Sequence, residues 1–365
     1  MKNALDIQAV NQMKSADKLA VSIDLVRDTL GRMDSAQKRA AIESLQRLID
    51  AERFDLAVEY GRDGIECREC GSSRVVKRGK TSSGNQRYLC RDCGMSFVLS
   101  SGGVFAKSKL SKEVWQRYVE CFVDMLPLRE CARRCGVSLK TSWFMRHRIL
   151  EALRKHVPAF QVRNGCGAQI DECFFRENFK GNHGNSDFSM PRRPRRRGRQ
   201  DCKRGISNDL ICVMSGVNDA GDTFLEVACR GRLDSKSAEN VLRNKIESGS
   251  IIATDKHGSY ASAMAELGVS RHYAYDSKKE HGGINAVNSL HSRVKAFFSV
   301  FNGVSSKWLS LYLAWFAWNE SFKKCSASES AEIAVRQLSS ETYDTTWRKC
   351  KDAAYPFFDY WKNAA

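Results

Sequence analysis

Residues 251–255 read IIATD and residues 283–301 read GINAVNSLHSRVKAFFSVF, and the fold turns on how these two stretches sit together. The first is an apolar run ending in an acid, the pattern of a buried strand with Asp255 at its tip. In the second, Ile284, Val287, Leu290, Val294, Phe298 and Phe301 recur every three or four residues, which predicts an amphipathic helix. Asn285, Asn288, Ser292 and Lys295 form the neighbouring polar stripe. Asn288 and Lys295 lie seven residues, or two turns, apart on one face, so both can point at the end of the strand that carries Asp255.

Working outward, AQIDECFFREN (168–178), DLICVMSGVNDAG (209–221) and DTFLEVACRGR (222–232) read as three strands. The NDAGD turn makes the last two a hairpin. SKSAENVLRNKIES (235–248) is predicted helical, then comes the strand ending in Asp255, a helix YASAMAEL (260–267) and the long closing helix. Three strands, a helix, a strand and further helices is the order of an RNase H-like mixed-sheet domain, expected over 161–325. In that layout the acid of the first strand, Asp171, lies beside the end of the fourth, where Asp255 sits.

The rest of the chain predicts what is delivered to that site. The 365 residues hold 59 basic and 42 acidic side chains, a net charge of +17 that points to a polyanionic partner. No apolar run approaches a bilayer span and the N-terminus has no signal-peptide pattern, so a cytoplasmic protein without membrane contact is expected. Cys67 and Cys70 are separated by nineteen residues from Cys90 and Cys93, two CxxC knuckles bounded by glycines, which predicts a four-thiolate zinc ribbon within 61–105. A closed shell of four thiolates leaves no open position for water, so this zinc is structural. Between 106 and 160, LRECARRCGVSLKTSWFMRHRIL has helix-turn-helix spacing: Ala132 at the close crossing, Gly136 in the turn, Ser138 as a cap, and Trp143, Ile149 and Leu150 facing the core. Lys140, Thr141 and Arg146 are the candidates for the groove-facing side.

A loop rich in Gly, Pro and Arg, at about 180–205, carries Arg192, Arg193, Arg195, Arg196 and Arg197, a cluster suited to a nucleic-acid backbone. Residues 1–60 are predicted helical, capped at Asp34 or Ser35, with Ala40, Ile42, Leu45, Leu48 and Ile49 as an apolar face that packs on a neighbouring domain or pairs two subunits. A helical tail is expected over 326–365.

Two aspartates from separate strands are hard-oxygen ligands for Mg²⁺ or Mn²⁺, and a metal pair about 4 Å apart can activate one oxygen and stabilise another in an in-line phosphoryl displacement. Asn288 can add a neutral carbonyl oxygen and Lys295 a point charge for phosphate.

The order of zinc ribbon, helix-turn-helix, IDECFFRENFKG, TDKHGSY and NAVNSLHSRVK resembles insertion-sequence transposases of the ISXO-like group. The resemblance spans roughly 60–325 and also takes in GVFAKSKLSKEVW and YLAWFAWNESF. It implies a multidomain α/β DNA transposase that binds terminal inverted repeats of double-stranded DNA, cleaves with a metal-activated water and transfers a 3′-hydroxyl into target DNA. Asp171, Asp255 and Asn288 would ligate magnesium and Lys295 would contact DNA near the scissile phosphate. A homodimer or higher homo-oligomer in a synaptic complex and a bacterial, nucleoid-associated location follow from the same resemblance. Asn288 stands where many relatives have Glu, and His291 where Trp is common. These departures keep two alternatives: a non-catalytic, domesticated DNA-binding regulator, and a nuclease of the same fold without joining activity.

Overall fold

A computed structural model describes residues 15–60, 65–67, 69–81, 86–99, 103–106, 108–181, 205–276, 283–340, 346–351 and 353–360. Its centre is a five-stranded mixed sheet built from β4 (Gly167–Arg176), β5 (Leu210–Asn218), β6 (Thr223–Arg230), β7 (Ile251–Asp255) and β8 (Arg271–Tyr275), in the order β6-β5-β4-β7-β8. β4, β5 and β6 are antiparallel neighbours, and β7 and β8 run parallel to β4. This is the RNase H-like order, with the first strand in the middle and a hairpin closed at Gly221, whose φ of 86° suits glycine.

Side chains alternate across the sheet, so each strand feeds two cores. Ala168 and Ile170 of β4 join Cys212, Met214 and Ile252 in a cluster covered by α6 (Ser235–Leu242) and α7 (Gly258–Glu266). Cys173, Ile211 and Val213 face the other way, toward α8 (Asn285–Val300) and α9 (Leu309–Ser321). Asp171 shares this second face, and Glu172 shares the first.

Two expectations change. A fifth strand, β8, follows α7; its RHYAY sequence is mostly exposed at the sheet edge and lacks the apolar run that marks β7. The helix expected over 235–248 ends at Leu242, and Ile246 instead makes a parallel bridge to Val162. The closing helix forms where predicted, with Ile284, Val287, Leu290 and Val294 buried, but Phe298 and Phe301 are only half-buried, and Phe297 and His291 are buried instead.

The second core continues without a break into the N-terminal half. After a first helix α1 (Ser15–Gly31), it joins α2 (Ser35–Tyr60), the ribbon strands β1 (Val75–Lys80), β2 (Gln86–Cys90) and β3 (Ser96–Val98), the helices α3 (Lys112–Val123), α4 (Leu128–Cys135) and α5 (Leu139–Leu153), and α10 (Ala327–Ser340). Phe122 of α3 stacks on Trp315 of α9 at 4.2 Å, and Phe297 of α8 meets the same indole edge-on at 5.2 Å. Aromatic pairs in such geometry add to the burial energy.

α4 and α5 are two helices joined by a short turn. Gly136 is left-handed at φ 63°, and the Ser138 hydroxyl accepts from the Thr141 N–H at 3.0 Å. Ile149 and Leu150 are buried, whereas Trp143 is half-buried and packs against Trp308 and Trp347. At the N-terminus, Asp34 caps α2 by accepting from the N–H groups of Ala36 and Gln37, both at 2.8 Å. The apolar face predicted there lies outward: Ile42, Leu48 and Ile49 are 56%, 58% and 47% exposed. The buried side of α2 is instead Asp50, Phe54, Ala57 and Val58, against α3 and α10.

Candidate functional site: two metal-ligand clusters

In the ribbon, the Cys67 and Cys93 sulfurs lie 3.4 Å apart and those of Cys70 and Cys90 3.6 Å. All four sulfurs fall within 4.8 Å of one another. A tetrahedral zinc with bonds of about 2.3 Å requires sulfur separations of about 3.8 Å, so the four thiols fit it. The backbone N–H of Cys93 faces Cys90 and draws its thiol down to about 6, which readies it as a thiolate. Lys77, Arg78, Lys80 and Arg87 are exposed around the cage, while Arg74 is tied to Asp92 at 2.7 Å.

The second cluster forms at the sheet's centre. β4 and β7 pair up to Gln169 opposite Ala253, and two residues further along each strand stand Asp171 and Asp255. Glu172 joins them, and carboxylate oxygens of the three acids fall within 4.8 Å of one another. Burial pushes Asp171 up to about 7, helped by the charges of Glu172 and Asp255 and opposed by Lys295. Glu172 and Asp255 are also raised, in each case first by burial. The Asp255 Oδ1 atom is buried with no hydrogen-bond partner. Three crowded carboxylates, one with an orphaned oxygen, are what a divalent cation with hard-oxygen preference would neutralise.

Strand alternation sends the side chain of Glu172 to the opposite face from its neighbour Asp171. Its longer side chain nonetheless reaches the cluster, steadied by the Tyr260 hydroxyl, which donates to Glu172 Oε2 at 2.7 Å.

α8 lies over the Asp171 face and is held at both ends by β4 and its extension. Gln169 Oε1 accepts from the N–H groups of Ala286 and Val287 at 2.8 and 3.3 Å, capping the helix start. Lys180 Nζ donates to the carbonyls of Phe301, Asn302 and Gly303 at 2.9–3.2 Å, where the helix dipole favours a cation. Lys295 is exposed, and its charge acts on both Asp171 and His291. Asn288 is exposed on the first turn of α8.

His291 is buried and contacts Ser215 and Asp171, while burial and then the Lys295 charge pull its imidazole down to about 4. Its place was legible in principle, since residue 291 falls four after Val287 and three before Val294, on the apolar face.

Of the expected DNA contacts, Lys140 is exposed at the tip of α5, with its ammonium 4.9 Å over the Trp347 ring. Thr141 is partly exposed beside it. Arg146 is corrected: it is fully buried and cannot face a groove. Its guanidinium donates to the Leu126 carbonyl and to Cys131 Sγ, and lies 4.9 Å over Trp315 and 5.6 Å over Phe301. The indole face offsets part of the cost of burying the charge. Arg192, Arg193, Arg195, Arg196 and Arg197 lie outside the described residues. Among the described residues no helix is long and apolar enough to cross a membrane.

Comparison with known proteins bears on both clusters. Residues 180–321 match the family described as the ISXO2-like transposase domain, a span that includes Asp255, Asn288 and Lys295 and begins after Asp171. Residues 64–94 match the InsA N-terminal domain, a zinc ribbon, and contain all four cysteines of the cage. No curated protein matches the chain. Among solved structures it is similar to one titled "Crystal structure of a pre-cleavage Mos1 transpososome", at 12% identity and a TM-score of 0.24, over 62% of this chain and 79% of that one. That likeness is too slight to bear on fold or function. The family matches agree with the sheet order and the four-cysteine cage: residues 180–321 are similar to an ISXO2-like transposase domain and residues 64–94 to an InsA-like zinc ribbon.

Proposed function

We propose that the chain is a DNA transposase that cuts and rejoins transposon ends at the Asp171, Glu172 and Asp255 cluster. The observation that carries this reading is the convergence of three carboxylates with raised affinity for protons beside Lys295, inside a sheet of RNase H order. Such groups do not stabilise the fold by themselves. Their mutual repulsion is a cost that a bound cation removes.

Asp171 and Asp255 would hold magnesium or manganese through one or more oxygens each, with Glu172 as a third anionic donor. Asn288 stands on the adjoining helix as a neutral donor at the rim. A divalent ion there supplies charge neutralisation at the scissile phosphate and a lowered pKa for an attacking water or 3′-hydroxyl. Lys295 projects from the same helix two turns beyond Asn288 and would hold a phosphate of the DNA end. Lys140 and Thr141, at the exposed tip of α5, would read the terminal repeat, with the exposed basic residues of the ribbon on the phosphate backbone. The arginines at 192–197 would add phosphate contacts. Synapsis of two ends would require at least two copies of the chain.

The cluster weighs against a regulator that only binds DNA, since such a protein has no use for three mutually repelling, half-buried acids. The experiment is cleavage and joining of end-bearing DNA in Mg²⁺ by Asp171→Ala and Asp255→Ala variants. Loss of both activities with end binding intact is expected; retention of cleavage in both variants would sink the reading. Nicked product without joined product from the native chain would point to a nuclease.

A further inference from the structure

Asp171 shares its face of the sheet with two polar groups that the proposed chemistry leaves unused. Ser215 of β5 is its direct cross-strand partner, and His291 of α8 covers both. The Ser215 hydroxyl lies 3.1 Å from the Asp171 carbonyl oxygen and 2.6 Å from His291 Nε2. The other ring nitrogen, Nδ1, lies 3.7 Å from Asp171 Oδ2. All three side chains are largely withdrawn from water.

One hydroxyl has one proton, so it cannot serve both short contacts as donor. If Ser215 gives its proton to the Asp171 carbonyl, His291 must donate from Nε2, and the lone pair on Nδ1 then faces the carboxylate. Two electron-rich atoms oppose each other in a site already crowded with negative charge. If Ser215 donates to Nε2, the imidazole proton sits on Nδ1 and its N–H faces Asp171 Oδ2. For an ionised Asp171 the second arrangement is the attractive one at the carboxylate, and it gives up the hydroxyl's hydrogen bond to the Asp171 carbonyl, which can only accept.

We propose that His291, oriented by Ser215, is a positioning residue for Asp171: its Nδ1–H limits the soft terminal torsion of the carboxylate and keeps it turned toward Asp255. The 3.7 Å separation is longer than a hydrogen bond, so the contact steers by charge and dipole. The helix that carries His291 is seated for this, because Gln169 and Lys180 fasten its two ends to the chain on either side of Asp171. Histidines and hydroxyls that orient metal-ligating carboxylates characteristically tune affinity without touching the ion. The inference rests on the reading of Asp171 as a metal ligand.

The test is Mn²⁺ affinity of the full-length, zinc-loaded protein, measured by electron paramagnetic resonance, with the unfolding temperature of each manganese-free variant as the control. An asparagine places its side-chain N–H where Nδ1 stands, whereas leucine fills the space with no donor. His291→Leu is expected to weaken Mn²⁺ about tenfold and His291→Asn by no more than about threefold, within the span of outer-shell effects. Should the leucine variant not fold, Ser215→Ala removes the orienting group at little cost in volume, and a drop of about threefold to tenfold is expected. Equal affinity in the asparagine and leucine variants, or unchanged affinity in Ser215→Ala, would overturn the proposal. Asp171→Ala separates the two levels: strong loss there with no loss in the His291 variants leaves the metal site standing and removes only the role of His291. Native affinity in Asp171→Ala removes both.

Discussion

The two metal-ligand clusters are opposites in construction. In the ribbon, four thiols come from two glycine-bounded knuckles and crowd around one point, where the Cys90 thiol is drawn down and those of Cys70 and Cys93 are pushed up. At the sheet, three carboxylates come from the middle of β4 and the end of β7, one oxygen lacks any partner, and burial opposes the charged form of each. The first geometry is closed and holds a small module together. The second is partly exposed and crowds three like charges together.

The difference predicts unequal responses to metal removal. Stripping zinc, or replacing Cys67 or Cys90 by serine, should unfold the ribbon, because structural zinc supplies on the order of 10 kcal/mol of folding free energy to such modules. Protease sensitivity confined to the ribbon region would register it; a ribbon that stays protected without zinc would break the contrast. At the acid cluster, Asp255→Ala should lower strand transfer by about 10³-fold, equivalent to roughly 4 kcal/mol of barrier, while thermal stability holds or rises. A variant that loses activity and stability together would show that the cluster is structural after all.

Lys295→Ala should reduce joining by about 10- to 100-fold, as expected for losing one charged phosphate contact. Mn²⁺ affinity should not weaken on the same scale, since all three carboxylates remain. The smallest effect is on pH dependence. Asp171 releases its proton near 7 in the folded chain, against an ordinary value of 3.8. Between those values the folded state binds a proton that the unfolded state has shed, so metal-free stability should fall as pH rises through the window. Asp171→Asn should flatten that slope, and thermal unfolding at pH 5 and pH 8, with and without Mg²⁺, measures it.

Much of this contrast could be read from the sequence. The CxxC spacing defines the cage by itself, and the order of strands and helices places Asp171 of the first strand beside the strand end that carries Asp255. What remained hidden was helical phase. Arg146 was assigned to DNA by its charge, although it lies four residues after buried Ser142 and three before buried Ile149, so it must point inward. His291 sits in the same way on the buried face of α8. For Glu172, strand alternation gives the side chain's direction and not its reach. β8 escaped because an exposed edge strand does not need the apolar pattern by which buried strands are recognised. The Gln169 and Lys180 attachments join residues more than a hundred positions apart, which no local pattern reveals.

The central claim is that the acids of β4 and β7 form the cation site. Its most direct measurement is the anomalous diffraction of manganese in crystals of the zinc-loaded protein. The expected result is a manganese peak within about 2.0–2.6 Å of carboxylate oxygens from both Asp171 and Asp255, the range for hard divalent ions. Manganese bound elsewhere with those oxygens free of it, or no manganese at saturating concentration, would contradict the claim.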